Sequence, residues 1–139
     1  MSDLIKRKFE RYIAAKLTGV MPTMAFLSST GGGETEDARD IEPPFSIVTA
    51  LELEKILGLY GQWAIKGTVQ VVTHMSEHTP TAHSELSELV KHHMSALEPE
   101  VVEDNIAFHG IDISGMRYAD NEDESIRVTA IDFTAGAGG

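Results

Sequence analysis

The 139-residue sequence predicts a single α+β domain, a mainly antiparallel sheet covered by two amphipathic helices in the order α-β-β-α-β-β. Three observations carry that prediction. Residues 66–74 alternate, with Val69 and Val71 on one face and Thr68 and Gln70 on the other, which is the period of a half-buried strand. After a polar turn, Thr79-Pro80 opens a segment in which Ala82, Leu86, Leu89, Val90, His93 and Leu97 recur at three and four, the stripe of an amphipathic helix. At the N-terminus Ile5, Phe9, Tyr12, Ile13 and Leu17 form a second such stripe.

In chain order, a helix over residues 2–18 comes first. Ser2 is placed to cap it, Asp3 suits its positive end, and Gly19 and Pro22 stop it. Arg7, Lys8 and Arg11 are expected on its far side. Residues 20–44 lack an apolar period and are punctuated by Met21-Pro22, Gly31-Gly32-Gly33 and Pro43-Pro44, so a long acidic loop is expected there. Residues 28–42 have almost nothing to bury and are expected to be ordered only against a partner. A first strand follows over residues 45–53, and residues 56–61 are ambiguous, since so short an apolar run does not separate helix from strand.

Next come the strand of residues 66–74 and the helix capped by Thr79, with Pro80 at its first position, where a missing N–H loses no bond. Leu86, Leu89 and Val90 are expected to pack against the sheet face holding Val69 and Val71. Residues 105–113 read as a strand bent by glycine, and residues 125–133 as the last strand. The tail of residues 135–139 is expected to fray.

Composition limits function. The absence of cysteine removes disulfides, thiolate metal sites and a cysteine nucleophile. No apolar run approaches a membrane span and the first residues do not read as a secretory leader, so the cytoplasm is the expected place of synthesis and work. The formal charge of −11 argues against holding nucleic acid by phosphate neutralisation. That charge is uneven. Basic residues gather in the first sixteen positions, and acids in residues 34–42, 98–104 and 120–124.

The sequence carries no motif that assigns a catalytic, cofactor or metal site. Gly31-Gly32-Gly33-Glu34-Thr35 lacks the Lys-Ser/Thr ending of a phosphate loop. Asp120, Glu122 and Glu124 alternate as calcium ligands can, but Ser125 replaces the required glycine and Ile131 the bidentate glutamate, so a solvated turn is expected. His74, His78 and His83 lie near one turn beside Glu77, yet their spacing matches no zinc pattern. His93, on the apolar stripe, is expected to be buried and hydrogen-bonded, and His92 to face solvent. No serine has the setting of a nucleophile elbow.

The arrangement resembles a known family. A basic amphipathic helix precedes a long loop, and Pro44-Phe45-Ser46-Ile47-Val48 enters a strand. Trp63-Ala64-Ile65-Lys66-Gly67-Thr68-Val69-Gln70-Val71 then leads to Thr79-Pro80-Thr81-Ala82 and its helix. Ile111-Asp112-Ile113-Ser114-Gly115, an acidic turn and Arg127-Val128-Thr129-Ala130-Ile131-Asp132-Phe133 close the chain. This order, over nearly the whole chain, resembles the tail-terminator and minor-tail family of long-tailed (siphovirus-type) bacteriophages, small proteins that form a hexameric ring.

The resemblance implies a structural virion protein of the neck, without enzymatic activity or cofactor, assembled in the host cytoplasm. Its partners would be copies of itself, the tail tube protein and the head-tail connector or stopper. DNA would pass through the ring without specific binding. Acids are then expected at the channel, the candidates being Glu34, Glu36, Asp37, Asp40, Glu42, Asp120, Glu122, Asp123 and Glu124, since carboxylates repel phosphate. Arg7, Lys8 and Arg11 are candidate interface bases. A head-tail stopper or other neck protein is the near alternative. A small metal-dependent enzyme and an acidic adaptor protein are alternatives from other classes.

Overall fold

The computed structural model describes residues 2–26, 43–55, 62–97, 100–101, 107–123 and 125–138. Among them the elements run α1 (Ser2–Leu17), β1 (Thr23–Ala25), β2 (Phe45–Lys55), β3 (Gln62–His74), α2 (Pro80–Ser95), β4 (Glu100–Val101), β5 (Ala107–Tyr118) and β6 (Ile126–Gly138). The class is α+β. One six-stranded sheet has the order β1-β2-β3-β6-β5-β4, with β1 parallel to β2 and every other pair antiparallel.

This adds two short strands, β1 and β4, to the expected order. β1 lies inside the segment expected to be irregular, because three residues are too few to show a period. It is held on β2 by the Ser46 N–H, which donates to the Pro22 carbonyl (2.9 Å), and by a bond between the Thr23 and Ser46 hydroxyls (2.7 Å).

The long strands form where alternation is strongest. β3 turns Ile65, Val69 and Val71 to the core, all fully buried, and pairs along its whole length with β6. β6 runs through Gly138, where a frayed tail was expected. Ala135 and Ala137 are buried, and Ala137 lies opposite Phe108 of β5. Small residues fit there because neighbouring strands and α1 supply large rings.

The centre of the core is aromatic. Phe9 of α1 meets Phe108 edge-on at 5.2 Å between centroids and Phe133 at 5.7 Å, and Tyr12 lies 5.4 Å from Phe108. Such pairs add about 0.5–1.5 kcal/mol beyond the area they bury. Gly67, opposite Phe133, is the position that admits that ring. A Cβ there would lie 2.7 Å from the ring's Cζ and 2.6 Å from the Thr49 carbonyl oxygen. The expected bend in β5 is present, with register shifts between His109 and Asp112 and between Ile113 and Gly115, and Gly110 at φ +64°.

The expected cover of two helices is only partly what the packing provides. α1 lies along β1 and β2 and supplies the large core side chains, whereas α2 meets the sheet along the narrow line of His83, Ser87, Val90 and Met94. That line is turned from the expected stripe. Val90 is buried as expected and Leu86 is partly buried, but Leu89 is 52% exposed. The turn has a polar cause. The His83 imidazole is bonded on both sides, to the Thr73 hydroxyl of β3 (2.6 Å) and the Thr129 hydroxyl of β6 (2.7 Å). Ser87 donates to the His83 carbonyl (3.0 Å), so both buried polar side chains are satisfied. The start of α2 is as expected, with the Thr79 hydroxyl accepting from the Ala82 N–H (3.1 Å) and Pro80 in the first turn.

Candidate functional site

The basic residues of α1 do not share one environment. Arg11 is exposed and Arg7 half-buried, but Lys8, expected beside them, is only 6% exposed. α1 is buried over a wide arc because β1, β2 and α2 all touch it. A lysine stem can be covered in this way while its ammonium reaches outward.

The neighbouring Glu10, absent from the sequence candidates, is fully buried and accepts the Ala50 N–H at 2.7 Å. Ala50 lies two residues beyond the end of the β1 pairing, where β2 would otherwise present an open edge. One residue on, Leu51 is bulged out of the register between Ala50 and Glu52, and its carbonyl accepts from the Lys6 ammonium (3.3 Å). Side chains of α1 therefore finish the edge that β1 leaves uncovered, a common protection against unwanted strand pairing.

Of the candidate acids, Asp120, Glu122 and Asp123 are exposed at the turn between β5 and β6. Asp120 lies 3.7 Å from Arg127, whose Nε donates to the His78 carbonyl (3.2 Å). Glu34, Glu36, Asp37, Asp40, Glu42 and Glu124 lie outside the described residues, as do residues 28–42 as a whole and most of 98–104.

The histidines near the turn do not converge. His83 points into the core, the Nδ1 of His74 is bonded to the Ser76 hydroxyl (2.7 Å), and the Nδ1 of His78 is buried with no hydrogen-bond partner among the described residues. No group of three or more potential ligands among the described residues is placed to hold a metal ion. Burial pushes the pKa of His83 below its ordinary value. Asp120 opposes that shift, while Arg127 and His78 add to it. His93 is half-buried, with its Nε2–H donating to the Lys16 carbonyl (2.9 Å), and so ties α2 to the last turn of α1. His92 faces solvent as expected.

The sheet face turned away from Val69 and Ile131 carries a polar cluster that sequence reading missed. Arg117 of β5 grips Asp132 of β6 with two bonds of 2.9 Å, and the Thr68 hydroxyl of β3 donates to the same carboxylate (2.9 Å). The hydrogen bond from Arg117 holds the Asp132 carboxyl below its usual pKa against burial, which raises it, and the Thr68 bond and the Arg117 charge add smaller lowering effects. The signal was present in the alternation, since Thr68 and Asp132 share the outward phase of strands whose inward phase is Val69 and Ile131. The ion pair with its added hydroxyl bond fastens three neighbouring strands.

Beside α2 lies a shallow, open depression of about 490 Å³, lined by Pro80, Thr81, Ser84, Glu85 and Glu88. All of that lining belongs to one helix. Four large apolar side chains are well exposed among the described residues, namely Phe26, Leu51, Leu89 and Tyr118. No described helix is long and apolar enough to cross a membrane.

No family model matches this chain, and no curated protein sequence matches it.

Proposed function

We propose that this chain is a structural protein of the neck of a long-tailed bacteriophage, a tail terminator whose copies form a ring that caps the tail tube and joins it to the head connector. The observation that carries the reading is the order of elements. A helix with a partly exposed basic side comes first, then the long strands β2 and β3, a second amphipathic helix, and the long strands β5 and β6 joined by an acidic turn, with the short β1 and β4 inserted before β2 and β5. This is the order in which the resemblance to that family lies. Two helices of 16 residues each favour a terminator over a β-rich head-tail stopper.

In this reading the protein's partners are copies of itself, the tube protein below and the connector above, and DNA passes through without being held. The exposed leucines and the segregated charges serve assembly. Negative-stain imaging of the purified protein, alone and mixed with tail tubes, tests the proposal. Rings seated on tube ends are expected. A monomer that leaves tube ends bare would reject it, and stoichiometric metal binding by such a monomer would favour the enzyme reading instead.

A further inference from the structure

We infer that the outward face of α2 is the acidic half of a contact between copies of this chain, and that the Arg7–Arg11 face of α1 in the next copy is its basic half. The inference starts from the turn of α2. Because His83 and Ser87 occupy the buried line, Leu89 is 52% exposed, and Glu85 and Glu88 beside it are exposed as well. A single exposed leucine is ordinary on a protein surface. Here it adjoins two carboxylates that also border the depression beside the helix.

Glu85 makes no ion pair among the described residues, and Glu88 has only an exposed pairing with Lys91 at 3.8 Å. Exposed pairs of that kind are weak and readily exchanged. The acidic face thus retains charge for a partner.

The complementary face is on the other helix. Arg7 and Arg11 stand one turn apart on α1, and Arg7 makes no ion pair among the described residues. Glu85 and Glu88 are also about one turn apart, so Arg7 can meet one carboxylate while Arg11, exposed but already engaged in an interaction within its own chain, adds its charge opposite the other. The planar fork of arginine suits carboxylates better than a lysine ammonium does, and the exposed leucine supplies apolar area at the centre of the contact.

A contact between two different faces is head-to-tail. It propagates from copy to copy and ends only where the ring closes. For that closure, though not for the contact itself, the inference rests on the ring reading above.

Sedimentation velocity of the full chain over graded concentration and salt tests the contact, with and without tail tubes. Wild-type protein should associate beyond 15.1 kDa, less so as salt rises. The pair Glu85→Lys/Glu88→Lys and the pair Arg7→Glu/Arg11→Glu should each weaken association by about ten-fold or more. Mixing the two variants should restore association beyond dimers, because every contact between unlike copies is then matched, native faces in one and reversed faces in the next, while contacts between like copies stay repulsive. Thermal melts of each variant confirm that it is folded.

Association untouched by both reversals, or a wild-type monomer at every concentration with and without tubes, would overturn the contact. Tubes capped equally well by both reversed variants would reject the contact and leave the tail reading standing. Rings that depend on Glu85 and Glu88 but ignore tubes would do the opposite.

Discussion

The imidazole of His83 sits between two strands, 3% exposed, and its neutral form can donate to one threonine hydroxyl while accepting from the other. His83→Leu would leave the fully buried Thr73 and Thr129 hydroxyls without that partner, at about 1–3 kcal/mol for each one left unsatisfied. A pH dependence follows as well. The unfolded histidine takes up a proton near pH 6.5 and the folded one only at lower pH. Between those values the unfolded state binds more protons, so the stability contributed by neutral His83 is complete above about pH 6.5 and is lost as pH falls through the folded pKa. Urea midpoints from pH 8 to pH 5 should fall more steeply for wild type than for His83→Leu, and equal slopes would show that His83 is not the group responsible. Gly67 provides a second test at this scale. Gly67→Ala forces a Cβ against the Thr49 backbone and the Phe133 ring and should destabilise by about 1–3 kcal/mol, as overpacking does. Gly19→Ala, which meets nothing within 4 Å, should leave the melting temperature nearly unchanged.

At the scale of elements, α2 separates hydrophobicity from burial. Met94 is fully buried and Leu89 half exposed, so Met94→Ala should cost about 2–5 kcal/mol and Leu89→Ala less than about 0.5 kcal/mol. A loss at Leu89 as large as that at Met94, read from urea melts, would mean the helix lies in the other phase. The sequence led to that other phase because leucines were weighed and the His83–Ser87 line was not. That line becomes visible only when Thr73 and Thr129 are recognised as polar residues on the inward phase of two paired strands. The long strands were legible, since Val69 and Val71 alternate cleanly, and so was the Thr79-Pro80 start of α2. The short strands β1 and β4 were not, having too few residues to carry a period. The end of β6 was misread because alanine and glycine look like a tail until Phe108 and the strands beside them are in place. Among the candidate bases, charge alone could not distinguish Lys8, drawn under cover by the wide buried arc of α1, from Arg11 on the open side.

At the scale of the whole molecule, the formal charge of −11 bears directly on the proposed ring. A channel that lets a genome pass must not neutralise its phosphates, because each lysine or arginine that does so releases counterions and holds the DNA. The exposed turn of Asp120, Glu122 and Asp123 is the described part of the acidic set expected there, and the proposed contact between copies takes Arg7 and Arg11 instead. Asp120 is the wrong residue to change, since it lies beside Arg127 and acts on His83. Glu122→Lys and Asp123→Lys together should leave the fold intact, both being exposed. If that turn borders the channel, assembled wild-type rings should show no retention of duplex DNA at physiological salt, measured by fluorescence anisotropy. Rings of the doubly substituted chain should retain it with an affinity that falls steeply as salt rises, because every copy presents the new charges to the same strand of phosphates. Substituted rings as indifferent to DNA as wild type would place the turn on the outer rim, where its carboxylates serve solubility alone.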